Sequence, residues 1–217
     1  MQEFDSYRHK GLRQKLTDQL RSKGILNQNV LLAINSVPRH SFMDPAFLEH
    51  AYEDKAFQIG EGQTISQPFT VAYMTDWLEL EPGMKVLEVG TGSGYQASVL
   101  AEMKVKVFSI ERFRKLYEKA KEQLYILGYK NVKLFFGDGY EGIPNHAPYD
   151  RIIITAAAKE IPQKLLKQLK TGGIMVLPLG RDDDQMMVKI TKTGASDYKK
   201  EVGDNFRFVP MLPGKIF

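Results

Sequence analysis

The chain has 217 residues, of which 43% are hydrophobic and 26% charged, a composition typical of one globular domain with a sizeable core. It contains no cysteine, which excludes disulfides, thiolate metal sites and cysteine nucleophiles, whereas its net charge of +4 excludes neither nucleic acid nor an acidic substrate. No apolar run reaches the ~20 residues that cross a membrane, and the first residues lack the apolar core of a signal peptide, so we expect a cytoplasmic protein without membrane contact.

The first third of the chain is predicted to form a helical cap. Between residues 8 and 23 leucines recur every four positions, which predicts an amphipathic helix that ends at Gly24. A second short helix is expected over 28–36, and a further turn begins at Pro45. This region has a net charge close to zero, which is not typical of a basic nucleic-acid-binding arm.

A polar segment, GEGQTISQPFT at residues 60–70, interrupts this pattern. It has neither the period of a helix nor that of a strand, and its proline can open the next helix near Pro68. We therefore predict a loop here, and its two hydroxyl residues, flanked by glutamines, make it a candidate for substrate contact.

From residue 83 onward, short apolar runs alternate with helical segments. The predicted strands are 85–89, 105–110, 132–136, 150–155 and 173–179. The predicted helices between them include 111–127 and 161–170. Strands rich in Val and Ile that alternate with helices indicate a mostly parallel sheet covered on both faces, hence a doubly wound, Rossmann-like α/β fold.

The end of the chain has a different pattern. Residues 185–192 and 198–209 are predicted strands with no helix between them, which indicates an antiparallel pair at one edge of the sheet. TGAS (193–196) would form the turn between them, and RDDD (181–184) a solvated loop. We expect one domain in three parts, namely a helical cap with the substrate loop (1–80), a cofactor-binding α/β core (81–180) and the C-terminal antiparallel strands (181–217).

The most informative stretch is VLEVGTGSGY, residues 86–95, where a buried strand runs into three spaced glycines and then into a helix. Gly90, Gly92 and Gly94 allow the backbone to turn tightly and to approach a ligand, and a purely structural turn is the alternative. The carboxylate of Glu88 would repel the pyrophosphate of a dinucleotide but would suit the positive charges of S-adenosylmethionine. The pattern E-x-G-x-G-x-G resembles the first motif of the class I methyltransferases.

Two further acids are consistent with a nucleoside-bearing cofactor. Glu111 ends the second strand about 20 residues beyond the glycines, where such sheets place a carboxylate that accepts from both ribose hydroxyls. A helix N-terminal acid is the alternative for Glu111. Asp138 and Gly139 end the third strand and resemble the turn with which this family contacts adenine, and a simple turn is the alternative.

The end of the fourth strand bears on the substrate. Methyltransferases that act on amines of adenine resemble one another in an Asn/Asp-Pro-Pro-aromatic turn at this point. This chain has Thr155-Ala156-Ala157-Ala158, with neither proline nor aromatic residue, which disfavours that class. Thr155 and Ala156 become candidates for the substrate side of the site, whereas we expect Asp150 to be a structural acid.

Six segments resemble, in order and in spacing, the protein-L-isoaspartate O-methyltransferase family. They are 37–43, 51–74, 86–103, 137–142, 149–158 and 206–211. The stretch GQTISQP is the most specific part of the resemblance, because most class I methyltransferases have nothing similar there. Arg151 is a mild departure, since a small or apolar residue is commoner at that position in the family.

The resemblance implies transfer of a methyl group from S-adenosylmethionine to the free α-carboxylate of an L-isoaspartyl residue in a damaged protein or peptide. The methyl ester then closes to a succinimide, which begins repair. The resemblance also implies that Ser66 lies nearest the reaction and orients the substrate carboxylate, and a cap on the following helix is the alternative. Gln63 and Thr64 would hold the loop and the methionine end of the cofactor, and Val209 would pair with the substrate backbone.

Alternatives remain open for substrate, partners and metal. A methyltransferase of the same fold that acts on RNA or a small molecule, or a binding module without catalysis, are the competing functions. Basic residues cluster between 101 and 135, but a solvated helix face with Glu118 and Glu122 interleaved explains them better than nucleic acid does. The four histidines show no metal-ligand spacing, so we expect no metal, and we expect a monomer.

Overall fold

The computed structural model describes residues 5–181, 184–195 and 197–217. Its α-helices are α1 (Tyr7–Ser22), α2 (Gln28–Ser36), α3 (Pro68–Trp77), α4 (Tyr95–Glu102), α5 (Arg114–Ile126) and α6 (Gln163–Gln168). Its strands are β1 (Phe57–Gly60), β2 (Gln63–Ile65), β3 (Lys85–Val89), β4 (Lys106–Glu111), β5 (Val132–Phe136), β6 (Tyr149–Ile154), β7 (Leu169–Arg181), β8 (Asp184–Lys192) and β9 (Tyr198–Asn205).

The N-terminal cap consists of α1, α2 and two turns of 3₁₀ helix, Arg39–Phe42 and Pro45–His50. The Ser6 hydroxyl accepts from the His9 amide and begins α1, and the Asn27 side chain caps α2 in the same way. The apolar side of these helices is buried against α3 and α4, so the cap is part of the main core. The predicted cap is confirmed, and α2 has the predicted bounds.

Seven strands form one sheet in the order β5-β4-β3-β6-β7-β8-β9. The pairs from β5 to β7 are parallel, and β7-β8 and β8-β9 are antiparallel. Helices cover both faces, and two separate clusters of buried apolar side chains lie against them. The doubly wound α/β fold with an antiparallel C-terminal pair is therefore confirmed.

The strand order places the switch point of the sheet between β3 and β6. The chain runs outward from β3 through β4 to β5, then returns to the other side of β3 with β6 and continues outward to β7. In an open parallel sheet, the crevice at the carboxyl ends of such neighbouring strands is the usual place for a ligand. The carboxyl ends of β3 and β6 are Val89 and Ile154.

The predicted loop at residues 60–70 is partly wrong, because β1 and β2 form an antiparallel hairpin across it. Glu61 and Gly62 are the two turn residues, and both have positive φ (51° and 67°), as in a type I′ turn. Each strand has only three or four residues, which is too short for a period of two to be recognised in a sequence.

The predicted helix 161–170 is shorter than expected, since α6 ends at Gln168 and β7 already begins at Leu169. Leu169 is buried and pairs with Tyr149 of β6, and this sheet contact overrides the helical pattern. In the predicted RDDD loop, Arg181 and Asp184 pair as the facing ends of β7 and β8, and residues 182 and 183 lie outside the described residues. Ser196 of the predicted TGAS turn also lies outside them.

Candidate active site

A cavity of about 720 Å³ opens at the carboxyl ends of β3, β4 and β6. Its walls come from the segment after β3, the hairpin and the start of α3, the ends of β4 and β6, and residues 204–212. The size is in the range of about 300–1,000 Å³ that small-molecule sites occupy, and the place is the switch point of the sheet.

The glycine loop, residues 90–94, forms the floor of the cavity. Gly90 has φ 98°, and a Cβ there would lie 2.4 Å from Oγ1 of Thr155, so neither its conformation nor its surroundings accept a side chain. The Thr155 hydroxyl lies 2.6 Å from the carbonyl oxygen of Gly90, to which it donates. Gly92 also lines the cavity, whereas Gly94 does not, since a Cβ there would point toward Leu124 on α5.

Glu111 lies at the end of β4 and lines the cavity. Its Oε2 accepts from the Gly92 amide at 2.8 Å, and its Oε1 accepts from the Phe113 amide at 2.9 Å. Each carboxylate oxygen can accept a second hydrogen bond, so the group holds the glycine loop and can still accept from hydroxyls of a ligand.

Glu88 does not line the cavity, which corrects its prediction as a ligand contact. The side chain is fully buried one residue before the end of β3, beside Ser109 of β4, and its Oε2 accepts from the Ser109 hydroxyl. That hydroxyl lies 2.6 Å from Oγ1 of Thr91 in the glycine loop. Burial, together with the nearby charge of Glu111, raises the pKa of Glu88 to about 8, so the acid is protonated at neutral pH.

Asp138 and Gly139 follow β5, and only Gly139 lines the cavity. Asp138 accepts from the Tyr140 amide through Oδ1 at 2.9 Å and from the Gly214 amide through Oδ2 at 2.7 Å. A Cβ on Gly139 would lie 2.6 Å from Cγ1 of Val89, so the turn packs directly on the end of β3. Asp138 therefore holds this turn and the end of the chain in place from behind the cavity wall.

Ser66 lies in the cavity wall between β2 and α3, next to the predicted Gln63 and Thr64, which also line it. No described residue hydrogen-bonds its hydroxyl, and the first residue of the helix boundary, Gln67, provides no side-chain cap. The cap comes instead from Asp54, whose Oδ1 accepts from the Phe69 amide at 2.7 Å. Ser66 is thus not the helix cap, and its hydroxyl is available to a ligand.

A further part of the wall is the segment of residues 206–209 that follows β9, and Phe206 stacks on Phe69 at the start of α3. Gln185 of β8 holds it through both ends of its side-chain amide: Oε1 accepts from the Phe208 amide at 2.7 Å and Nε2 donates to the Phe208 carbonyl at 3.1 Å. Val209 lines the cavity, and its carbonyl accepts from the Ala157 amide at 2.8 Å. The predicted Ala156 lies in the same wall.

The C-terminal tail, residues 210–217, crosses the ends of β4, β5 and β6. The Arg112 guanidinium donates to the carbonyls of Pro213 and Gly214, and the Ile216 amide donates to the Arg112 carbonyl at 2.8 Å. The first three residues of the tail also line the cavity. The tail therefore closes the side of the cavity that lies over Glu111 and Gly139.

Sequence reasoning missed several lining residues, among them Phe69, Tyr95, Gln96, Phe206 and Phe208. Tyr95 and Gln96 directly follow the glycine motif, so their place in the first turn of the next helix was a usable signal. The phenylalanines gave no such signal, because their position in the wall depends on contacts with Asp54 and Gln185 that are distant in the sequence.

One cluster that sequence spacing did not reveal brings together Asp5, His9 and His40, whose ligand atoms lie within 4.8 Å of one another. Both oxygens of Asp5 already accept from the Arg13 guanidinium, at 2.6 and 2.8 Å. Nδ1 of His40 lies 2.6 Å from the Tyr52 hydroxyl, and the two imidazole rings stack with centroids 3.8 Å apart. A guanidinium on the carboxylate and stacked rings are the contacts of a structural cluster rather than of a cation site.

Several cations of the basic stretch between 101 and 135 are bound within the protein. Arg114 pairs with Glu118 at 2.7 Å, Lys115 with Glu61 of the hairpin turn at 3.1 Å, and Arg112 binds the tail. Arg151 donates to the carbonyls of Leu78 and Glu79 at the end of α3, which explains an arginine at the start of a central strand. Across the described ranges, no helix is both long and apolar enough to span a bilayer.

Comparison with known proteins shows which family the chain resembles. Residues 11–215 match the family model described as protein-L-isoaspartate(D-aspartate) O-methyltransferase. The protein-L-isoaspartate O-methyltransferase of Cytophaga hutchinsonii is 59% identical over 208 residues, which cover 96% of this chain and 94% of that protein. The corresponding protein of Christiangramia forsetii is 54% identical over 97% of this chain and 99% of its own.

Solved structures give the same result. One protein-L-isoaspartate O-methyltransferase superposes with a TM-score of 0.84 at 33% identity, covering 91% of this chain and 65% of that chain, so this chain spans just under two thirds of it. A second, from Plasmodium falciparum and in complex with S-adenosyl-L-homocysteine, has a TM-score of 0.79 at 25% identity and covers 91% and 97% of the two chains.

Proposed function

The chain belongs to the protein-L-isoaspartate (D-aspartate) O-methyltransferase family, and from this premise we propose how its own residues carry out the reaction. The protein is an S-adenosylmethionine-dependent protein carboxyl methyltransferase that acts on the α-carboxylate of L-isoaspartyl residues and so initiates their repair. The comparisons favour this activity over an RNA or small-molecule methyltransferase of the same fold.

We assign the cofactor to the part of the cavity between the glycine loop and the tail. S-adenosylmethionine, when bound, supplies an electrophilic methyl group on a sulfonium. Three observations support the fit: Gly90 and Gly139 leave no room for side chains, the Glu111 carboxylate retains acceptor capacity for ribose hydroxyls, and about 720 Å³ is available. Gln63 and Thr64 line the same cavity and would hold the methionine end.

Ser66 is the proposed catalytic residue, and the observation that carries the proposal is its hydroxyl, which lies in the cavity wall with no hydrogen bond to any described residue. The hydroxyl would donate to one oxygen of the isoaspartyl carboxylate and direct the other oxygen toward the methyl group. The substrate carboxylate is already ionised at neutral pH, because α-carboxyls have pKa values of about 3.3–3.7, so no general base is required. Orientation and exclusion of water then provide the rate enhancement.

The remaining walls would hold the substrate chain. Val209 is proposed to pair with the backbone of the isoaspartyl segment, next to Thr155 and Ala156, whose small side chains leave space for it. We propose a single methyltransferase domain that acts as a monomer in the cytoplasm on isoaspartyl proteins and peptides, without nucleic acid, metal or membrane. Light scattering of the purified protein would test the monomer.

The assay that tests the activity compares matched peptides. Wild-type protein with labelled S-adenosylmethionine is expected to methylate an isoaspartyl peptide and to leave the aspartyl peptide of the same sequence unlabelled. Ser66→Ala should lower kcat by about 100-fold or more and change the affinity for S-adenosylhomocysteine less than about threefold, because the hydroxyl acts on the substrate and not on the cofactor. Equal labelling of both peptides, or of neither, would contradict the assigned activity.

A further inference from the structure

Asp54 is the residue that fixes the segment carrying Ser66, although it lies outside the cavity lining. Its carboxylate is 3% exposed and accepts three hydrogen bonds. Oδ1 accepts from the Phe69 amide at 2.7 Å, and Oδ2 accepts from the Gln67 side chain at 3.1 Å and from Lys23 Nζ at 2.6 Å. Two of these three donors therefore lie within three residues of Ser66.

Within the described ranges, the first turn of the helix that follows Ser66 has no side-chain cap other than Asp54. Gln67 at the helix boundary makes no side-chain cap, and Pro68 in the first position has no amide hydrogen to be satisfied. The Phe69 amide is thus the first free donor of α3, and it is satisfied by an acid 15 residues earlier in the chain. Without Asp54, the first turn of α3 and the residues that lead into it lose their fixed end.

The contact with Gln67 extends this hold to the neighbour of Ser66. Because the Gln67 side chain is bound to Oδ2, the backbone on the C-terminal side of Ser66 is fixed at both Gln67 and Phe69. On the N-terminal side, Ile65 is buried in β2 and pairs with Phe57. Ser66 is therefore held between a strand and a clamped helix start.

The turn that carries Asp54 is in turn held by residues of the N-terminal helical cap. Lys23 follows α1 and pairs with Asp54 across 31 residues, with 41% of its side chain exposed. Beneath the same turn, the fully buried guanidinium of Arg39 donates to the Lys55 carbonyl at 3.1 Å. Two cationic residues from two different elements thus fix the turn that presents the Asp54 carboxylate.

We propose that Asp54 is a positioning residue of the reaction, which sets the place of the Ser66 hydroxyl through Gln67 and the Phe69 amide. This inference rests on the proposed role of Ser66. It concerns turnover rather than cofactor binding, since the Asp54 carboxylate contacts Gln67 and Phe69 and neither the proposed cofactor residues Gln63 and Thr64 nor Glu111.

The test is a double-mutant cycle on the full chain with the isoaspartyl peptide. Asp54→Ala should lower kcat by about 10- to 100-fold, since a displacement of about 1 Å at a reacting group costs about 100-fold. In a Ser66→Ala background the same change should lower kcat by less than about twofold, because the group that Asp54 positions is then absent. Affinity for S-adenosylhomocysteine, measured by calorimetry, should stay within about threefold of wild type throughout.

Asp150 provides the matched control. Its carboxylate accepts from the Lys85 amide at 2.8 Å and from Lys170 Nζ at 2.5 Å, so it is also an amide-bound, lysine-paired acid, but at the opposite end of the sheet from the cavity. Asp150→Ala should lower thermal stability as Asp54→Ala does and leave kcat within about twofold. Asp54→Asn retains an oxygen for the Phe69 amide but turns an amide group toward the Gln67 side chain and Lys23, so it should recover only part of the lost turnover.

The outcomes separate the two proposals. A wild-type protein inactive on the isoaspartyl peptide contradicts the activity. If the wild type is active, two results contradict the positioning role. One is that the losses of kcat in Asp54→Ala and Ser66→Ala multiply in the double variant. The other is that Asp150→Ala lowers kcat as much as Asp54→Ala does. Should Asp54→Ala not fold, the cycle is measured with Asp54→Asn. The smaller loss of turnover in this variant should likewise vanish in the Ser66→Ala background. A loss that persists there contradicts the positioning role.

Discussion

Glu88 and Glu111 are both acids of the predicted cofactor site, yet they do different things. Glu111 lines the cavity and its carboxylate binds two backbone amides, whereas Glu88 lies in the core with no cationic partner among the described residues. The raised pKa of Glu88, about 8, follows mainly from this burial. The acid therefore supports the glycine loop as a neutral group, through Ser109 and Thr91.

Glu88→Gln tests this protonation state through stability. The unfolded carboxyl ionises near its ordinary value of 4.5 and the folded one near 8, so between these values the native state binds the extra proton and stability falls as pH rises. The wild type should lose on the order of a few kcal/mol relative to the glutamine variant between pH 5 and pH 8. Urea unfolding of both proteins at several pH values measures the difference.

The same pair of proteins tests the corrected role of Glu88. Because the acid does not line the cavity, Glu88→Gln should bind S-adenosylhomocysteine within about threefold of wild type. Parallel pH profiles of stability for the two proteins would show that Glu88 is ionised in the native state. A loss of affinity of tenfold or more would show that Glu88 acts directly on the ligand.

The sequence identified residues that line the cavity where their position depends on backbone geometry close to them. Gly90 and Gly92 are read from their spacing after a strand, and Glu111 from its place at the end of the next strand. The sequence could not show that Glu111 reaches the cavity and Glu88 does not, because this difference depends on the register of β3 against β4. Nor could it reveal Asp54, whose capping contact spans 15 residues.

Strand β8 holds the cavity wall through the side chain of Gln185, which binds the backbone of Phe208. Gln185→Ala removes both hydrogen bonds to Phe208, so the wall formed by 206–209 should become mobile and KM for the isoaspartyl peptide should rise about fivefold or more. Affinity for S-adenosylhomocysteine should change less than about threefold. Steady-state kinetics over a range of peptide concentrations provide the measurement.

Gln168 is the control for this prediction, because it is also a buried glutamine whose amide binds backbone at both ends. It accepts from the Ile143 amide at 3.0 Å and donates to the Glu141 carbonyl at 2.8 Å, and it does not line the cavity. Gln168→Ala should cost comparable stability and leave KM unchanged. A rise in KM in both variants would indicate a general loss of stability instead of a loss of the wall.

Elements were predictable where one periodic pattern ran long enough, and not where tertiary contacts decided. The strands 85–89 and 132–136 and the helix 28–36 have their predicted bounds, since each is an uninterrupted run with a clear stop signal. The hairpin of β1 and β2 was missed because each strand is too short to show a period. Helix α6 was overextended because the sheet, through the pairing of Leu169, competes for its last turn.

At the scale of the whole molecule, Asp138 joins the end of β5 to the tail that closes the cavity. Asp138→Asn retains an oxygen for the Tyr140 amide but turns an amide group toward the Gly214 amide, so the tail should be released. Affinity for S-adenosylhomocysteine should fall about tenfold or more, and trypsin should cleave after Lys215 faster than in wild type. Calorimetry and limited proteolysis followed by mass spectrometry give the two readouts.

Asp18, an exposed acid on α1, is the control for Asp138. Asp18→Asn should change neither the affinity nor the rate of cleavage. Unchanged affinity in Asp138→Asn together with rapid cleavage of the tail would show that the tail does not hold the cofactor, whereas weakened affinity with an intact tail would favour direct contact of Asp138 with adenine.

The fold class was predictable from the sequence, because alternating strands and helices leave few ways to cover a parallel sheet. The closure of the cavity was not, since it depends on tail contacts that span about a hundred residues, such as that between Arg112 and Gly214. Such contacts leave no periodic signal at either end.

The position of residues 204–212 in the cavity wall also has a consequence for the order in which the parts of the site form during synthesis. Residues 206–212 of this segment follow β9 in the chain, so a nascent chain can complete its glycine loop and central strands while one side of its cavity is still missing. Until that segment has been made, the chain has the glycine loop but not the complete wall of the cavity.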